Sequence, residues 1–421
     1  MKKLMLAMAA LCSIFAGCSS DEPTIVDNNE PNQPEVPEVP VVMPKPILNA
    51  AESRAAAGQT AFGAEFFAAV SRNYPGKNVV SSPLSASMLL SMLANTADAT
   101  TRSQICEALG CNDIDAVNSL SGKYMTWLPG ADENISMSLA NSIWYKQNYT
   151  LSPEFADIAK EYYSAETFAR DFANSGALVD EINVWTKDKT GNIIDKILDD
   201  IAPEAVAVQV NALYFNGSWT QHFSKDKTVK ADFKGIDNTI KADMMKAKSY
   251  YGYIATDAFE AVEIPYGAHM YCSMVIVLPK EGSNLDEFVN SDAFKSVTTT
   301  SMTDKLVNLT IPKFKIEPSE EISLNEILES MGIDNIGNMQ KTSLFTEAID
   351  AYFHVYQKAG ISVTEEGTEA AAATWSGIAL APGLDEEKPK AIELTVDRPF
   401  VFFIKEKNTG LSLFAGKVNQ L

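Results

Sequence analysis

The sequence predicts a mixed α+β fold in which helices and strands share one large domain. Apolar residues make up 46% and charged residues 21% of the 421 residues, as is typical of a globular chain with a sizeable core. Helical spacing and strand alternation are interleaved along the chain without the regular order of parallel βαβ units. No internal repeat is visible. One mixed domain is therefore expected, and a doubly wound one is not.

Helices are predicted from apolar spacing and from residues that favour helix starts. The first helix ends at Pro75-Gly76 and carries apolar residues at helical spacing, namely Phe62, Phe66, Phe67, Val70 and Tyr74. Ser82-Pro83 and Ser152-Pro153 each place a capping hydroxyl before a proline in the first turn, which predicts two further helix starts. Two more helices are predicted, one containing Ile182, Trp185 and Ile193–Ile194 and one over residues 323–331.

Strands are predicted where apolar residues alternate with polar ones or form short runs. The run Val206–Phe215 is almost wholly apolar, as expected for a central strand covered on both faces. Asn408-Thr409-Gly410 separates two apolar stretches near the C-terminus and predicts a hairpin turn. Other strands are predicted at residues 78–81, 136–146, 261–265, 271–278 and 306–315.

The first 50 residues have the composition of an export signal followed by a tether. Lys2 and Lys3 precede a short apolar run, and the small residues Ala16-Gly17 precede Cys18. This pattern resembles a bacterial lipobox, so residues 1–17 are predicted to be a lipoprotein signal peptide and Cys18 its lipidation site. Ordinary cleavage before a chance cysteine is the alternative. Residues 18–50 then form a Pro-rich, disordered tether, and residues 51–421 form the folded domain.

The tether also bears on location. Ser19-Ser20-Asp21-Glu22 resembles the acidic tag that routes some Bacteroidota lipoproteins to the cell exterior. A lipidated chain of this kind would contact the membrane through its N-terminal lipid. We therefore expect a lipoprotein of the cell envelope that lies in the outer membrane. Exposure at the cell surface is a further option.

Charge and residue content argue against two classes of function. The net charge of −21 disfavours a nucleic-acid partner, because phosphate contacts need clustered Lys and Arg. His222, His269 and His354 are the three histidines, and none stands in a HExxH motif. Isolated histidines are more often structural than catalytic. An enzyme is therefore not predicted, and no metal or cofactor is expected.

The serines and cysteines have plain structural interpretations. Ser82, Ser85 and Ser87 cluster at a helix start but lack a GxSxG elbow, so they are interpreted as buried hydroxyls that cap the helix. Beyond the signal and Cys18, three cysteines remain, namely Cys106, Cys111 and Cys272. An odd number is no disulfide framework, and buried free thiols are expected. A Cys106–Cys111 bridge stays open in an oxidising compartment.

The segment from Gly360 to Pro399 has the side-chain pattern of a strand that could enter a sheet. Counting from Thr368, alternate residues on one side are small or apolar, namely Thr368, Ala370, Ala372, Thr374, Ser376 and Ile378. The other side holds Glu369, Ala371, Ala373, Trp375 and Gly377. A surface connector is the alternative, but solubility alone does not require this division.

Several motifs occur together in one order. They are Asn78-x-x-x-Ser82-Pro83-x-Ser85, Ile182-Asn183-x-Trp185, Asn211, Gly217-x-Trp219, Glu365-Glu366-Gly367-Thr368 and Asp397-Arg398-Pro399-Phe400. With them the chain resembles the serpin family from about Ala51 to Leu421. The resemblance implies three β-sheets with about nine helices and an exposed reactive loop. It also implies a monomer whose partner is a serine protease, or a papain-like cysteine protease. The protease cuts the loop, stays acyl-linked to it, and is carried along as the loop inserts into the main sheet.

The resemblance also assigns roles to individual residues. The inserting hinge would comprise Glu365, Gly367, Thr368, Glu369, Ala370, Ala371, Ala372, Ala373 and Thr374. The region where the sheet opens would comprise Ser82, Ser85, Asn211, Trp219 and Gln357. Many family members carry a histidine where Gln357 stands, and glutamine has no pH-sensitive charge. The proximal hinge holds small inward residues, which favours inhibition over the alternative of a non-inhibitory, serpin-like surface binding protein.

The reactive bond is the least determined part of the prediction, because the loop is several residues longer than the family usually has. The usual spacing leads to Ala381–Pro382, and proteases rarely cut before proline. Leu380–Ala381 is therefore the preferred bond, with the neighbouring Ala379 and Pro382 as alternatives. No Lys or Arg occurs between Gly367 and Glu387, so elastase-like, chymotrypsin-like or subtilisin-like proteases are expected targets.

Overall fold

The structure of the chain is a computed structural model that describes residues 43–192, 194–298, 300–317, 322–334, 336, 338–347, 349–368 and 390–421. Cys18 and the predicted reactive bond therefore lie outside the described residues. Within them, the helices are α1 (Ala50–Asn73), α2 (Pro83–Ala94), α3 (Ala99–Ala108), α4 (Ile114–Trp127), α5 (Pro153–Tyr163), α6 (Ser175–Lys189), α7 (Leu285–Val289), α8 (Asp292–Ser296) and α9 (Leu324–Ser330). Short 3₁₀ turns occupy Leu128–Gly130 and Lys225–Lys227.

Eighteen strands complete the described part of the chain. In the first half they are β1 (Val79–Ser81), β2 (Ile135–Lys146), β3 (Glu166–Arg170), β4 (Ala207–Ser218), β5 (Val229–Lys234), β6 (Thr239–Ala255), β7 (Phe259–Tyr266) and β8 (Cys272–Pro279). In the second half they are β9 (Thr303–Pro312), β10 (Phe314–Ile316), β11 (Ile322–Ser323), β12 (Asn338–Thr342), β13 (Ile349–Gln357), β14 (Ile361–Val363), β15 (Gly367–Thr368), β16 (Ile392–Thr395), β17 (Phe400–Glu406) and β18 (Ser412–Val418).

The predicted helix starts are confirmed. Ser82 caps α2 by accepting a hydrogen bond from the backbone N–H of Ser85, and Pro83 occupies the first turn. Ser152 caps α5 in the same way through the N–H of Phe155. The first helix begins with a capping box that Asn49 and Glu52 form reciprocally.

The helix predicted to contain Ile193–Ile194 is shorter than expected. Helix α6 ends at Lys189, because Gly191 and Asn192 take positive φ values of 60° and 69° that a right-handed helix cannot continue. Ile194 still packs in the core beneath α6, so the apolar signal that predicted helix reflects burial after the helix end. Periodicity alone could not separate the two cases.

One ladder of strands forms the body of the molecule. Its order is β1-β18-β17-β8-β7-β6-β9-β16, and β5 pairs with β6 outside this path. The first part of β6 pairs with β5, whereas Gly252–Ala255 pairs with β7. The long strand β6 therefore joins two sheets into a continuous hydrogen-bonded ladder. The predicted C-terminal hairpin is confirmed as β17 and β18.

A second ladder, here termed the main sheet, carries the candidate site. Its order is β10-β14-β15-β4-β13-β11, and β2 extends it from β4 with β3 at the edge. Strands β2 and β4 pair along eleven residues from Ile135↔Gly217 to Tyr145↔Ala207. Together with the two sheets joined by β6, the main sheet gives the predicted α+β architecture, which is confirmed.

Strand β4 separates two cores because its side chains alternate between the faces of the main sheet. Val208, Val210 and Ala212 pack under α6 in a smaller core. Leu213 and Phe215 face the large core that holds α1, α2 and the body strands. This double cover explains why the strand reads as a continuous apolar run. None of the described helices is both long and apolar enough to cross a membrane.

Candidate functional site

The main sheet is open along the middle of β4. At its lower end β13 pairs with β4 in parallel at Phe353↔Ala207, His354↔Val208 and Val355↔Gln209. At its upper end β15 pairs with Gly217 and Ser218. Between these points, residues 210–216 have a partner on the β2 side and no described strand on the other side. The two flanking strands are therefore joined only at the ends of a gap.

Thr368 occupies the upper end of this gap. It pairs with Val363 of β14 on one side and with Gly217 of β4 on the other, both in antiparallel register. Its side chain is 2% exposed, and its hydroxyl lies 2.5 Å from the hydroxyl of Tyr266. The first inward residue of the predicted hinge is thus already a strand residue of the main sheet.

Aromatic rings form the floor beneath Thr368. The ring of Tyr266 stacks on Trp219 with centroids 4.3 Å apart and an interplanar angle of 11°, and Phe215 meets it edge-on. The indole N–H of Trp219 donates to the carbonyl of Thr364 at 2.9 Å. Burial raises the pKa of Tyr266 well above its ordinary value, so the hydroxyl stays neutral and available to Thr368. Trp219 and Tyr266 therefore hold both ends of the hinge turn.

Glu365 fixes the hinge turn to the strands around it. Its carboxylate accepts a hydrogen bond from Thr228 at 2.9 Å and lies 3.0 Å from the ammonium of Lys313. Burial acts to raise the pKa of Glu365, but the hydrogen bonds from Lys313, its own backbone and Thr228 outweigh it, and the pKa falls below its ordinary value. The backbone carbonyl of Glu365 also accepts from the N–H of Phe223. A buried carboxylate paired in this way is an anchor for the hinge.

Gly367 allows the close approach between the hinge and β4. Its φ is 157°, and a Cβ at this position would collide with the carbonyl oxygen of Gly217 and the Cα of Ser218. Only glycine can therefore bring the backbone this near to the strand. Glu366 beside it pairs with the exposed Lys225 at 2.6 Å, and its carbonyl accepts from the N–H of Trp219.

Gln357 connects the lower part of the main sheet to helix α2. Its amide oxygen accepts from the N–H of Ser82 at 2.8 Å, and its amide nitrogen donates to the carbonyl of Ser82 at 2.8 Å. The hydroxyl of Ser82 in turn donates to the carbonyl of Leu413 in β18. Ser85 is buried next to this junction. The side chain at position 357 therefore has to supply a donor and an acceptor at once.

Two buried amides on β4 have unused hydrogen-bonding capacity. The amide nitrogen of Asn211 donates to Asn141 at 2.8 Å, but its oxygen has no partner among the described residues. Both amide atoms of Gln209 lack a partner in the same part of the chain, although the residue is only 2% exposed. Buried polar groups normally form hydrogen bonds. These two side chains of β4 therefore have unmet hydrogen-bonding capacity among the described residues.

The structure brings together the predicted hinge and sheet-opening residues that it describes. Glu365, Gly367, Thr368 and Trp219 meet at the upper end of the gap. Asn211 lies at the lower end of the gap, and Ser82, Ser85 and Gln357 lie next to it in the region shared with α2. The predicted residues outside the described part are Glu369, Ala370, Ala371, Ala372, Ala373, Thr374, Ala379, Leu380, Ala381 and Pro382.

Three residues of the site were not predicted from the sequence, namely Tyr266, Thr228 and Lys313. Their partners lie far along the chain, and a single sequence holds no signal for such pairings. Lys313 lies within the predicted strand 306–315, which the structure divides there into β9, ending at Pro312, and β10, beginning at Phe314. The predicted strand did not indicate its partner. Only the tertiary fold identifies these contacts.

The described residues do not assemble a metal centre. No group of three or more His, Cys, Asp or Glu among them could hold a metal ion. His269 is exposed, and its backbone N–H donates to Asp132. His222 borders the surface beside Trp219. The residues at the gap can pair with a further strand and can form buried hydrogen bonds.

Comparison with known proteins identifies the family. A family model described as "Serpin (serine protease inhibitor)" matches residues 57–421. The chain belongs to the serpin family. This agrees with the resemblance seen in the motifs and with the observed fold. The serpin match covers every described strand of the main sheet.

Similar proteins and solved structures match this chain over most of its length. A serpin-like protein of Methanosarcina acetivorans is 29% identical over 429 residues, which cover 99% of this chain and 96% of the relative. The human leukocyte elastase inhibitor is 30% identical over 375 residues, or 85% and 97% of the two chains. The crystal structure of the thermophilic serpin tengpin in its native state matches with a TM-score of 0.78 and 30% identity. That match covers 90% of this chain and 97% of tengpin.

Proposed function

We propose that this serpin inhibits proteases through cleavage of its reactive loop and insertion of the cut loop into the main sheet. The observation that carries the proposal is the position of Thr368 between β14 and β4. A strand that starts there and continues downward would fill the open length of the gap. Its ladder bonds to both neighbours supply the free energy of insertion.

The observed register predicts which residues would meet. Because Thr368 pairs with Gly217 in antiparallel register, each further loop residue pairs with the preceding residue of β4. Ala370 and Ala372 then lie opposite Phe215 and Leu213, which face the large core. Directly opposite residues share one face of a sheet, and alanine adds little bulk there. The apolar half of the gap thus matches the small apolar half of the hinge.

The polar half of the gap matches as well. Continuing the register would bring Thr374 opposite Asn211. One step further it would bring Ser376 opposite Gln209, once β13 has separated from β4 at Val355↔Gln209. These two β4 residues carry the buried amides without partners. Hydroxyl groups that donate or accept would satisfy them on insertion. The pairing of Val363 with Thr368 also brings Thr374 beside Gln357 on the other flank. Both flanks therefore support the same alignment.

The chemistry of inhibition follows from an incomplete hydrolysis. The catalytic serine of the protease would attack the carbonyl of Leu380, form an acyl-enzyme, and release the amine of Ala381. Insertion would then separate the ester from the released end before water completes the reaction. No enzyme activity of the serpin itself is involved.

The loop composition supports targets with an apolar primary pocket. No Lys or Arg stands between Gly367 and Glu387, so a protease that requires a basic residue has no site there. The relative named as an elastase inhibitor supports the same class of target. Leu380 is the preferred residue before the cut, and elastase-like, chymotrypsin-like or subtilisin-like proteases are the proposed partners.

The N-terminal sequence supports a proposal on location. Lipidation at Cys18 and the Pro-rich residues up to Met43 would hold the domain away from the membrane to which the lipid anchors it. The rest of the predicted tether, from Met43, is hydrogen-bonded to the domain through Gly130 and Trp127. An inhibitor displayed in this way would protect the cell that carries it from external proteases.

A gel experiment tests the proposed function. The serpin is mixed with pancreatic elastase or subtilisin, and a band of the summed mass that survives boiling in detergent is expected. Catalytic-serine variants of the same proteases are the matched control and should give no such band. Complete cleavage of the loop without the band would instead favour a non-inhibitory binding protein of the same fold.

A further inference from the structure

A pair of cysteines lies at the end of helix α3, apart from the gap in the main sheet. Helix α3 ends in a turn in which the N–H of Cys111 donates to the carbonyl of Cys106 at 2.8 Å. Inside it, the N–H of Gly110 donates to Glu107 at 3.0 Å, and Gly110 has a φ of 61°. These two bonds define a Schellman motif, in which the residues at the positions of Cys106 and Cys111 normally make an apolar contact.

In this chain the contact is made by two thiols. Cys106 and Cys111 stand at the two contact positions of the motif, and both cysteines are free. Cys111 is buried, whereas Cys106 is partly open to solvent. The turn therefore leaves Cys106 open to a reagent and keeps its neighbour Cys111 buried.

We propose that Cys106 and Cys111 form a reversible disulfide, with Cys106 as the attacking thiol and Cys111 as the resolving thiol. The oxidant is a small-molecule or protein disulfide. The Cys106 thiolate attacks one sulfur of that disulfide, forms a mixed disulfide, and releases the first thiolate. Cys111 loses its proton to solvent and attacks the sulfur of Cys106, which releases the second thiolate. The protein loses two hydrogens, and the oxidant becomes two thiols.

The surroundings favour this direction of attack. The hydrogen bond from Cys111 lowers the pKa of Cys106 to about 7, and the charge of Arg102 acts in the same sense. Burial of Cys106 and the charge of Asp113 oppose the shift. The same hydrogen bond and its own burial raise the pKa of Cys111, so Cys111 stays protonated until the first step is complete.

The turn that holds both cysteines is fixed by packing against α1. Gly58 of α1 packs against the carbonyl groups of Leu109 and Gly110 so closely that no Cβ fits at position 58. This contact holds the turn in place, and a disulfide would bring the two sulfurs to about 2.05 Å. The bond would close a short loop and fix the last turn of α3 to the residues that precede α4.

Mass analysis of the full chain tests the proposal. The native protein is equilibrated with excess oxidised glutathione, alkylated and digested with trypsin. Residues 103–123 form one peptide that contains both cysteines, and Cys272 lies in another peptide as an internal control. The expected result is a 103–123 peptide that carries no alkyl group and is about 2 Da lighter than the unalkylated dithiol peptide. Treatment with reductant before alkylation should restore two alkylated cysteines, and Cys272 should not be oxidised. Two free thiols, a stable mixed disulfide at Cys106, or cross-linked dimers would each overturn the proposal.

Two variants of Cys111 separate the chemical roles. In Cys111→Ser the glutathione mixed disulfide should accumulate on Cys106, because the resolving thiol is gone. In Cys111→Ala the hydrogen-bond donor is lost as well, so the pKa of Cys106 should return toward the ordinary value near 8.5. The rate of its alkylation at pH 7 should then fall below that of the wild type. Equal alkylation rates in the wild type and Cys111→Ala would contradict the attacking role of Cys106.

Discussion

The hydroxyl groups of Thr368 and Tyr266 lie 2.5 Å apart inside the upper end of the main sheet. Thr368 is the last described residue before the reactive loop, and it is paired on both sides. Thr368→Arg should convert the inhibitor into a substrate, since a guanidinium cannot enter this site without a cost of several kcal/mol. The stoichiometry of inhibition, measured by titration of elastase activity, should rise well above one.

The matched control for this change is Thr239→Arg, which adds the same charge at an exposed position of β6. It should leave the stoichiometry unchanged. Unaltered inhibition by Thr368→Arg would contradict the insertion mechanism, whereas loss of inhibition in both variants would indicate a general effect of added charge.

The second prediction concerns the pairing of Glu365 with Lys313. Glu365→Gln should lower the free energy of unfolding of the native state by about 1.5–3 kcal/mol, because charge-assisted hydrogen bonds are lost. Lys313→Met should be at least as harmful, because it leaves the buried carboxylate unpaired. The double variant should be less unstable than the sum of the two. Urea unfolding at pH 7.5 measures all three, and strict additivity would exclude a direct interaction.

The same carboxylate predicts a dependence on pH. The pKa of Glu365 is lowered in the folded state, so its contribution to stability is complete above the unfolded value of 4.5. That contribution is lost as the pH falls through the lower, folded pKa. The stability difference between the wild type and Glu365→Gln should therefore shrink below pH 4.5 and be constant from pH 6 to 8. A difference that grows on acidification would have the wrong sign.

The third prediction concerns Gln357, which carries no titratable charge. The rate of inhibition of a target protease that is itself insensitive to pH should be flat between pH 6 and 7. Gln357→His should introduce a dependence, because a protonated imidazole cannot accept the N–H of Ser82. Its folded pKa would be lowered, so stability would be retained above about pH 6.5 and lost below it. A sharp transition in the wild type would refute the prediction.

The fourth prediction concerns the unpartnered amide oxygen of Asn211. Thr374→Val keeps the side-chain shape but removes the hydroxyl that the register places opposite Asn211. The cleaved form should lose about 1 kcal/mol of stability, and the uncleaved form should lose none. Guanidinium unfolding of both forms measures this difference. Glu369→Gln, on the opposite parity, is the control. Equal losses in the cleaved and uncleaved proteins would argue against this alignment.

The fifth prediction concerns the reactive bond. Chymotrypsin-like or elastase-like proteases should release a C-terminal peptide that begins at Ala381, because the apolar side chain of Leu380 fits their primary pocket. N-terminal sequencing of that peptide identifies the bond directly. Leu380→Asp should abolish complex formation with these proteases, whereas Ala379→Ser should have little effect. A peptide that begins at any other residue would show that the proposed bond is wrong.

Local signals explain which parts of the fold could be predicted. Ser82-Pro83 and Ser152-Pro153 fix helix starts through interactions within one turn, so the sequence alone is sufficient there. The strand Thr239–Ala255 was not predicted, because charged and apolar residues mix along its exposed face. The end of α6 was misplaced, because Ile194 is buried for tertiary reasons. Apolar periodicity indicates which residues are buried. It does not by itself determine whether those residues form a helix, because that depends on the tertiary packing.

The candidate site also has one part that the local sequence predicts and another that only the tertiary fold determines. The small residues of the hinge and Gly367 belong to one segment of the sequence. Their pattern alone therefore predicts that this segment could enter a sheet. The partners of that segment are set by the fold. Tyr266 and Lys313 are 102 and 52 positions away from Thr368 and Glu365, and no pattern in a single chain specifies such distances. Their roles become visible only when the strands are assembled.

The position of Thr368 between β14 and β4 also affects which strand enters the gap: the chain's own segment or one from a second copy. An open gap in a sheet accepts any strand of suitable shape, including one from a neighbouring copy of the chain. Because the hinge is already paired at the upper end, the rest of its own segment stays at an effective concentration of order millimolar. A second copy at micromolar concentration is then at a disadvantage of about a thousandfold. The two ladder contacts of Thr368 therefore favour insertion of the chain's own segment over association with a second copy.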